Sequence, residues 1–292
     1  MSLLARRSTW MAFAAVMAVL LGAVYLVALG THAGRDVDEA GILKYGESAS
    51  LPRVQEATEA IVTTIDRGSL LFFGLAALGL ALVRRRGRLA VAIVILLVGA
   101  NLGTQVLKPL LGNLDPTGGD ALRFPHHDAF PSGHATVSMS LALSLLLGAP
   151  HRWRPVVAAA GAGYAALVGG GMVALGWHFP SDVAGGYLMA AAWTAIAVAL
   201  VGPGALIESD GGRPLSGMRW GLGLAGGILL VGGLAVGAGL IATRPELVDY
   251  GRLHTTFFVG AGALGIFAAV VAGAVSTALG QAAVPASRPG PS

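Results

Sequence analysis

The sequence predicts an all-α protein, a polytopic membrane helix bundle of about eight spans, and three observations predict it. Only 12% of the 292 residues are charged, roughly half the share carried by a soluble domain. Mean hydropathy is +0.73. The apolar residues, 55% of the chain, gather in runs long enough to cross a bilayer, which takes roughly 20 residues. Backbone groups cannot stay unpaired in lipid, so such runs must be helices. The same figures exclude an ordinary soluble enzyme and a disordered chain, which would need low hydrophobicity and high charge. With no cysteine, disulfides, thiol catalysis and thiolate metal sites are excluded too.

Eight stretches fit spans: residues 9–30, 66–83, 89–107, 133–149, 155–177, 183–206, 218–242 and 254–280. The first is uncharged throughout and exceeds the roughly 7–15 apolar residues of a signal peptide, so it reads as an uncleaved anchor. The second is the shortest in strictly apolar residues. Residues 31–65 are polar and mixed in charge, with Arg35, Asp36, Asp38, Glu39, Lys44 and Glu47. They read as a solvated loop holding one short amphipathic helix near 54–65. Gly223–Gly227 and Gly233–Gly237 have the small-xxx-small spacing of packed membrane helices. This divides the chain into an anchor with its outer segment (1–65), a core (66–206), two further spans (207–280) and a disordered tail (281–292).

The basic residues orient the bundle. With the N-terminus in the cytoplasm, the inner segments hold eleven arginines, among them Arg6, Arg7, Arg84, Arg88 and Arg154, against only Glu208 and Asp210. The other eight basic residues face thirteen acidic ones outside. The expected location is the plasma (inner) membrane, with both termini cytoplasmic. The net charge of +4 does not indicate nucleic acid, because its basic residues are scattered at inner loop ends without interleaved aromatics.

Ionisable residues at span ends are candidates for function. Three clusters fall at the outer ends in this orientation. Lys108 follows the third span. Pro131-Ser132-Gly133-His134 opens the fourth: Ser132 is a good N-cap, and Gly133 lets a group approach the free N–H groups of a helix start, as an anion site requires. Trp177-His178-Phe179-Pro180-Ser181-Asp182 joins the fifth and sixth. Pro180 suits a first helical position, and His178 with Asp182, four apart, would share a helix face. A carboxylate on one ring nitrogen fixes the tautomer and makes the other a better nucleophile or base. Taken singly, the last two clusters could be a plain helix cap and a dipole-stabilising acid; together at one membrane face they point to a site.

Lys108, Pro131-Ser132-Gly133-His134 and His178-x3-Asp182, in this order, resemble the signature of the type 2 phosphatidic acid phosphatase superfamily over roughly residues 60–205. That signature is Lys-x6-Arg-Pro, Pro-Ser-Gly-His and Ser-Arg-x5-His-x3-Asp. Two of its arginines are replaced here: Asp115 and Met172 stand in their positions. The resemblance implies a six-helix phosphatase-like core plus two extra C-terminal spans, with the active site at the outer face. It implies a metal- and cofactor-independent lipid phosphatase acting on a phosphate ester or pyrophosphate of an isoprenoid or glycerolipid. His178 would be the nucleophile, Asp182 its orienter and His134 the acid and base. Lys108, Ser132 and Gly133 would hold the phosphoryl oxygens, with Arg123 from the same outer loop as a replacement cation. His126, His127 and Asp128 crowd that loop but read as solvated rather than as a metal site. The expected partners are a lipid phosphate and the bilayer. The competing readings are a non-catalytic relative that binds or transports a head group, and a polytopic transporter. Against the transporter, the polar residues lie at one face rather than at the midplane.

Overall fold

A computed structural model describes residues 6–42, 52–112, 130–206, 249 and 252–282. Asp115, Arg123, the loop histidines 126 and 127, the 218–242 span and the tail from 283 lie outside the described residues.

Among the described residues the protein is helical with no strand: α1 (Arg7–Ala28), α2 (His32–Gly41), α3 (Pro52–Val62), α4 (Arg67–Val83), α5 (Gly87–Gly112), α6 (Gly133–Gly148), α7 (Arg154–Ala174), α8 (Pro180–Val201) and α9 (Thr255–Ala282). Short 3-10 turns lie before α7 and after α8. Five helices, α1, α5, α7, α8 and α9, are long and apolar enough to cross a membrane, and α4 and α6 are shorter apolar helices. Seven of the eight expected spans are therefore present as helices, and the chain is a polytopic helical bundle.

The most buried helix is α8, which packs against α1, α5 and α6, while α9 lies along α7. One continuous hydrophobic cluster runs through Trp10 and Tyr25 of α1, Leu96 of α5, Met139 of α6, Val168 of α7, Tyr187 of α8 and Leu264 of α9. Close packing uses small residues in place of a hydrophobic drive between helices. Gly99 and Gly103 of α5 receive the indole of Trp193, and a Cβ on Gly103 would lie 2.8 Å from its Nε1. Gly186 does the same where it matters for chemistry. A Cβ there would lie 2.8 Å from the Ser132 carbonyl oxygen and 2.9 Å from the Thr136 nitrogen, both backbone atoms at the start of α6. Gly186→Ala must therefore push α6 off α8. We expect a loss of about 1–3 kcal/mol, read as a lowered thermal midpoint in detergent; an unchanged midpoint would show that the two helices separate without cost.

One end of the bundle is basic. Arg84 Nη1 donates to the Gly148 carbonyl at 3.0 Å, Arg88 donates to the Val201 carbonyl, and Arg154 Nε donates to Ala149 at 3.3 Å. These arginines sit on the C-terminal carbonyls of α6 and α8, where the helix dipole favours a cation. The opposite ends of α6 and α8 are helix N-termini, whose first N–H groups have no acceptor within their own helix backbone.

Two expectations change. Lys108 does not follow the span: α5 continues through Pro109 to Gly112, so the lysine stands on the last turns of a helix. The segment after α1 is not simply a solvated loop. It forms α2, which packs against α1, α8 and α9 and buries Asp38 to 9% exposure.

Candidate active site

The N-termini of α6 and α8 meet at the end of the bundle opposite the arginines. The Ser132 N–H donates to the Asp182 carbonyl oxygen at 2.9 Å, which joins the two helix starts directly. Ser132 is the N-cap of α6, and its Oγ accepts from the Ala135 N–H at 3.4 Å. The N–H groups of Gly133 and His134, in the first turn, have no intrahelical acceptor and form the open positive end of α6.

His178 is placed by the start of α8. The four-residue spacing does not put it on a helix face with Asp182, because α8 begins at Pro180 with Phe179 as N-cap and His178 precedes it. Asp182, the third helical residue, instead reaches back over the helix start. Its Oδ2 accepts from the Phe179 N–H at 3.0 Å and lies 3.2 Å from His178 Nδ1. The acid in the first turn thus satisfies the N–H of the N-cap residue, the reach-back half of a capping box, and orients the imidazole with the same oxygen. Asp182 is buried, and the His178 side chain keeps 13% of its surface. With Nδ1 held by the carboxylate, Nε2 is the nitrogen left without a bonded partner among the described residues.

Lys108 and His178 both lie within electrostatic range of His134, so the three sequence clusters come together. The His134 ring stands 6.4 Å from that of Trp177, centroid to centroid, and Trp177 is exposed. From α1, the Tyr25 hydroxyl donates to the Leu111 carbonyl at 2.8 Å and so anchors the end of α5 that carries Lys108. Tyr25 also packs its ring 5.4 Å from that of Phe130, just ahead of the Pro131-Ser132 start of α6.

Met172, where the resemblance expects arginine, is fully buried on α7. The Ser132 hydroxyl lies 3.5 Å from its Sδ. The thioether fills that position without charge and gives the N-cap serine a weak acceptor.

Sequence reasoning missed Asp38. Its Oδ1 accepts from the Ser181 N–H at 3.0 Å, and its Oδ2 bonds the Ser181 hydroxyl. Burial pushes its carboxyl up to about 6, with Asp182 adding to the rise and the two Ser181 bonds opposing it. The one available signal was an acid, between Val37 and Glu39, on a ten-residue segment with strong helical amphipathicity.

The arrangement offers an oriented imidazole, a second imidazole, a lysine and a serine-capped helix start at one end of the bundle. That set suits a tetrahedral oxyanion. A family model described as the PAP2 superfamily matches residues 88–203, from the start of α5 to just beyond α8. No curated protein and no solved structure matches the chain.

Proposed function

Residues 88–203 belong to the PAP2 superfamily, whose chemistry is phosphatase-type action on phosphate esters, and we propose that this chain hydrolyses a lipid phosphate at the outer face of the membrane through a phosphohistidine. The observation that carries the reading is the His178–Asp182 contact beside the serine-capped start of α6. The asymmetry of the bundle supports the orientation: arginines cap helix ends at one extremity, as a cytoplasmic end would have, and the site lies at the other.

In this mechanism the phosphoryl oxygens bind Lys108 and the Gly133 N–H, and the Ser132 hydroxyl turns its proton from the weak Met172 acceptor to them while its oxygen keeps the Ala135 N–H. His178 Nε2 attacks phosphorus while Asp182 holds the Nδ1 proton and stabilises the positive charge that develops on the ring. The bond to the leaving oxygen breaks, and His134 gives it a proton. Water then attacks the phosphohistidine, His134 takes the proton of that water, and phosphate leaves with His178 restored to its neutral form. Negative charge on the phosphoryl group is met by the lysine and the α6 N-terminus. Arg123 is proposed as a further cation. A lipid substrate fits the location, because its tail remains among the apolar helices while its head reaches an interfacial pocket.

His134→Ala tests the assignment. Phosphate release from a short-chain phosphatidic acid in detergent should fall by about 10²–10⁴-fold. With nitrophenyl phosphate, whose leaving group needs no proton, the first step should survive and phosphorylated protein should accumulate. Wild-type turnover without labelled protein would refute the role. Met172 favours a second reading, in which the pocket binds a head group without cleaving it, since a buried thioether replaces a permanent phosphate ligand. Binding without turnover by the wild type on every lipid phosphate tested would select that reading.

A further inference from the structure

The start of α8 has a capping deficit that the matched segment does not repair. Its N-cap is Phe179, whose side chain accepts nothing, and Pro180 at the first helical position carries no N–H. Asp182 reaches back to the Phe179 N–H. The next orphan donor is the N–H of Ser181, which the helix itself cannot satisfy. Asp38 accepts it, and takes the Ser181 hydroxyl with its other oxygen. The donor and acceptor residues are 143 positions apart.

We propose that Asp38 is a positioning residue of this site: from α2 it caps the start of α8 in trans, and so fixes the Ser181–Asp182 step from which His178 is oriented. The inference rests on the phosphatase reading above. Asp38 does not touch the substrate in this scheme and acts through Ser181. An anion suits a helix N-terminus, and a bidentate grip on one residue restrains both its backbone and its side chain. Gly41, at the end of α2, meets Pro180 itself: a Cβ there would lie 2.9 Å from the proline Cγ. Thus α2 touches the first two residues of α8 with a close-packed glycine and a carboxylate. The α2 segment lies outside residues 88–203, so the site is completed by a part of the chain that the family match does not include.

The test uses the full-length chain in detergent, a short-chain phosphatidic acid as substrate and vanadate as a transition-state mimic. For Asp38→Ala, kcat should fall by about 10–100-fold, the scale of a small misplacement of a reacting group, with KM nearly unchanged. Vanadate inhibition should weaken by the same factor, because a displaced His178 binds the mimic less well. Asp38→Asn keeps an acceptor for the Ser181 N–H and should recover most of the loss. A merely structural role would reduce the amount of active protein and leave the vanadate inhibition constant of the surviving activity unchanged; that result overturns the proposal. If Asp38→Ala does not fold, Ser181→Ala gives the same readout, with a smaller and again matched fall in kcat and vanadate affinity. Wild-type kcat and inhibition in either folded variant overturns the inference alone. A wild type that neither turns over nor binds vanadate overturns the phosphatase reading, and this inference with it.

Discussion

His178→Ala should abolish phosphate release, lowering kcat by about 10⁴-fold or more, as loss of a nucleophile does where no neighbour can replace it. Ser132 cannot take over. Its hydroxyl is fully buried, occupied with the Ala135 N–H and near Met172, and no base in the described structure is bonded to it. His134, whose ring lies beside that of Trp177, lacks a carboxylate on its ring among the described residues. The fold should survive, since His178 precedes α8 and, among the described residues, its ring is bonded only to Asp182, which keeps the Phe179 N–H. The thermal midpoint in detergent therefore serves as the control. Activity within tenfold of wild type in the folded variant would remove His178 from the reaction.

How far the sequence announced this arrangement depended on the range of the interaction. Apolar runs specify helices locally, because each span satisfies its own backbone in lipid; the predicted 66–83 and 133–149 runs appear as Arg67–Val83 and Gly133–Gly148. Ser132 and Pro180 were legible as helix starts for the same reason, since a cap acts over three or four residues. The His178–Asp182 pairing was visible as a spacing, but its geometry was not. A helix-face argument assumes that both residues are helical, whereas the pair is made by an acid folding back over the helix start. Lys108 was placed beyond the span because the apolar run ends at Leu107, yet α5 runs on through Pro109 to Gly112. Asp38 was illegible: an acid among other charges in a polar segment looks solvated, and its partner is far away in sequence. The expected replacement cation, Arg123, and the acid in the other arginine position, Asp115, lie outside the described residues.

Asp182→Asn should cost about 10²–10⁴-fold in kcat while changing the fold little. The carboxylate does two jobs with Oδ2, accepting from the Phe179 N–H and facing His178 Nδ1. An asparagine keeps one acceptor oxygen, and when that oxygen stands in the place of Oδ2 the start of α8 retains its reach-back bond. What it cannot keep is the negative charge beside the imidazole, or the certainty that an acceptor faces Nδ1. If the amide NH₂ takes the place of Oδ2, it selects the tautomer with the proton on Nε2, the nitrogen that must attack, and the Phe179 N–H loses its acceptor. If the amide oxygen takes that place, the tautomer is right and the Phe179 N–H keeps its acceptor, but the positive ring of the phosphohistidine loses its counter-charge. Either way the loss falls on the chemical step, so KM should hardly move. Asp182→Ala, which also removes the carboxylate acceptor of the half-buried Phe179 N–H, should lose about 1–3 kcal/mol of stability in addition. The two variants separate orientation from capping: equal kcat losses with unequal thermal midpoints are expected, and an Asp182→Asn protein with wild-type kcat would show that the charge beside His178 has no part in the reaction.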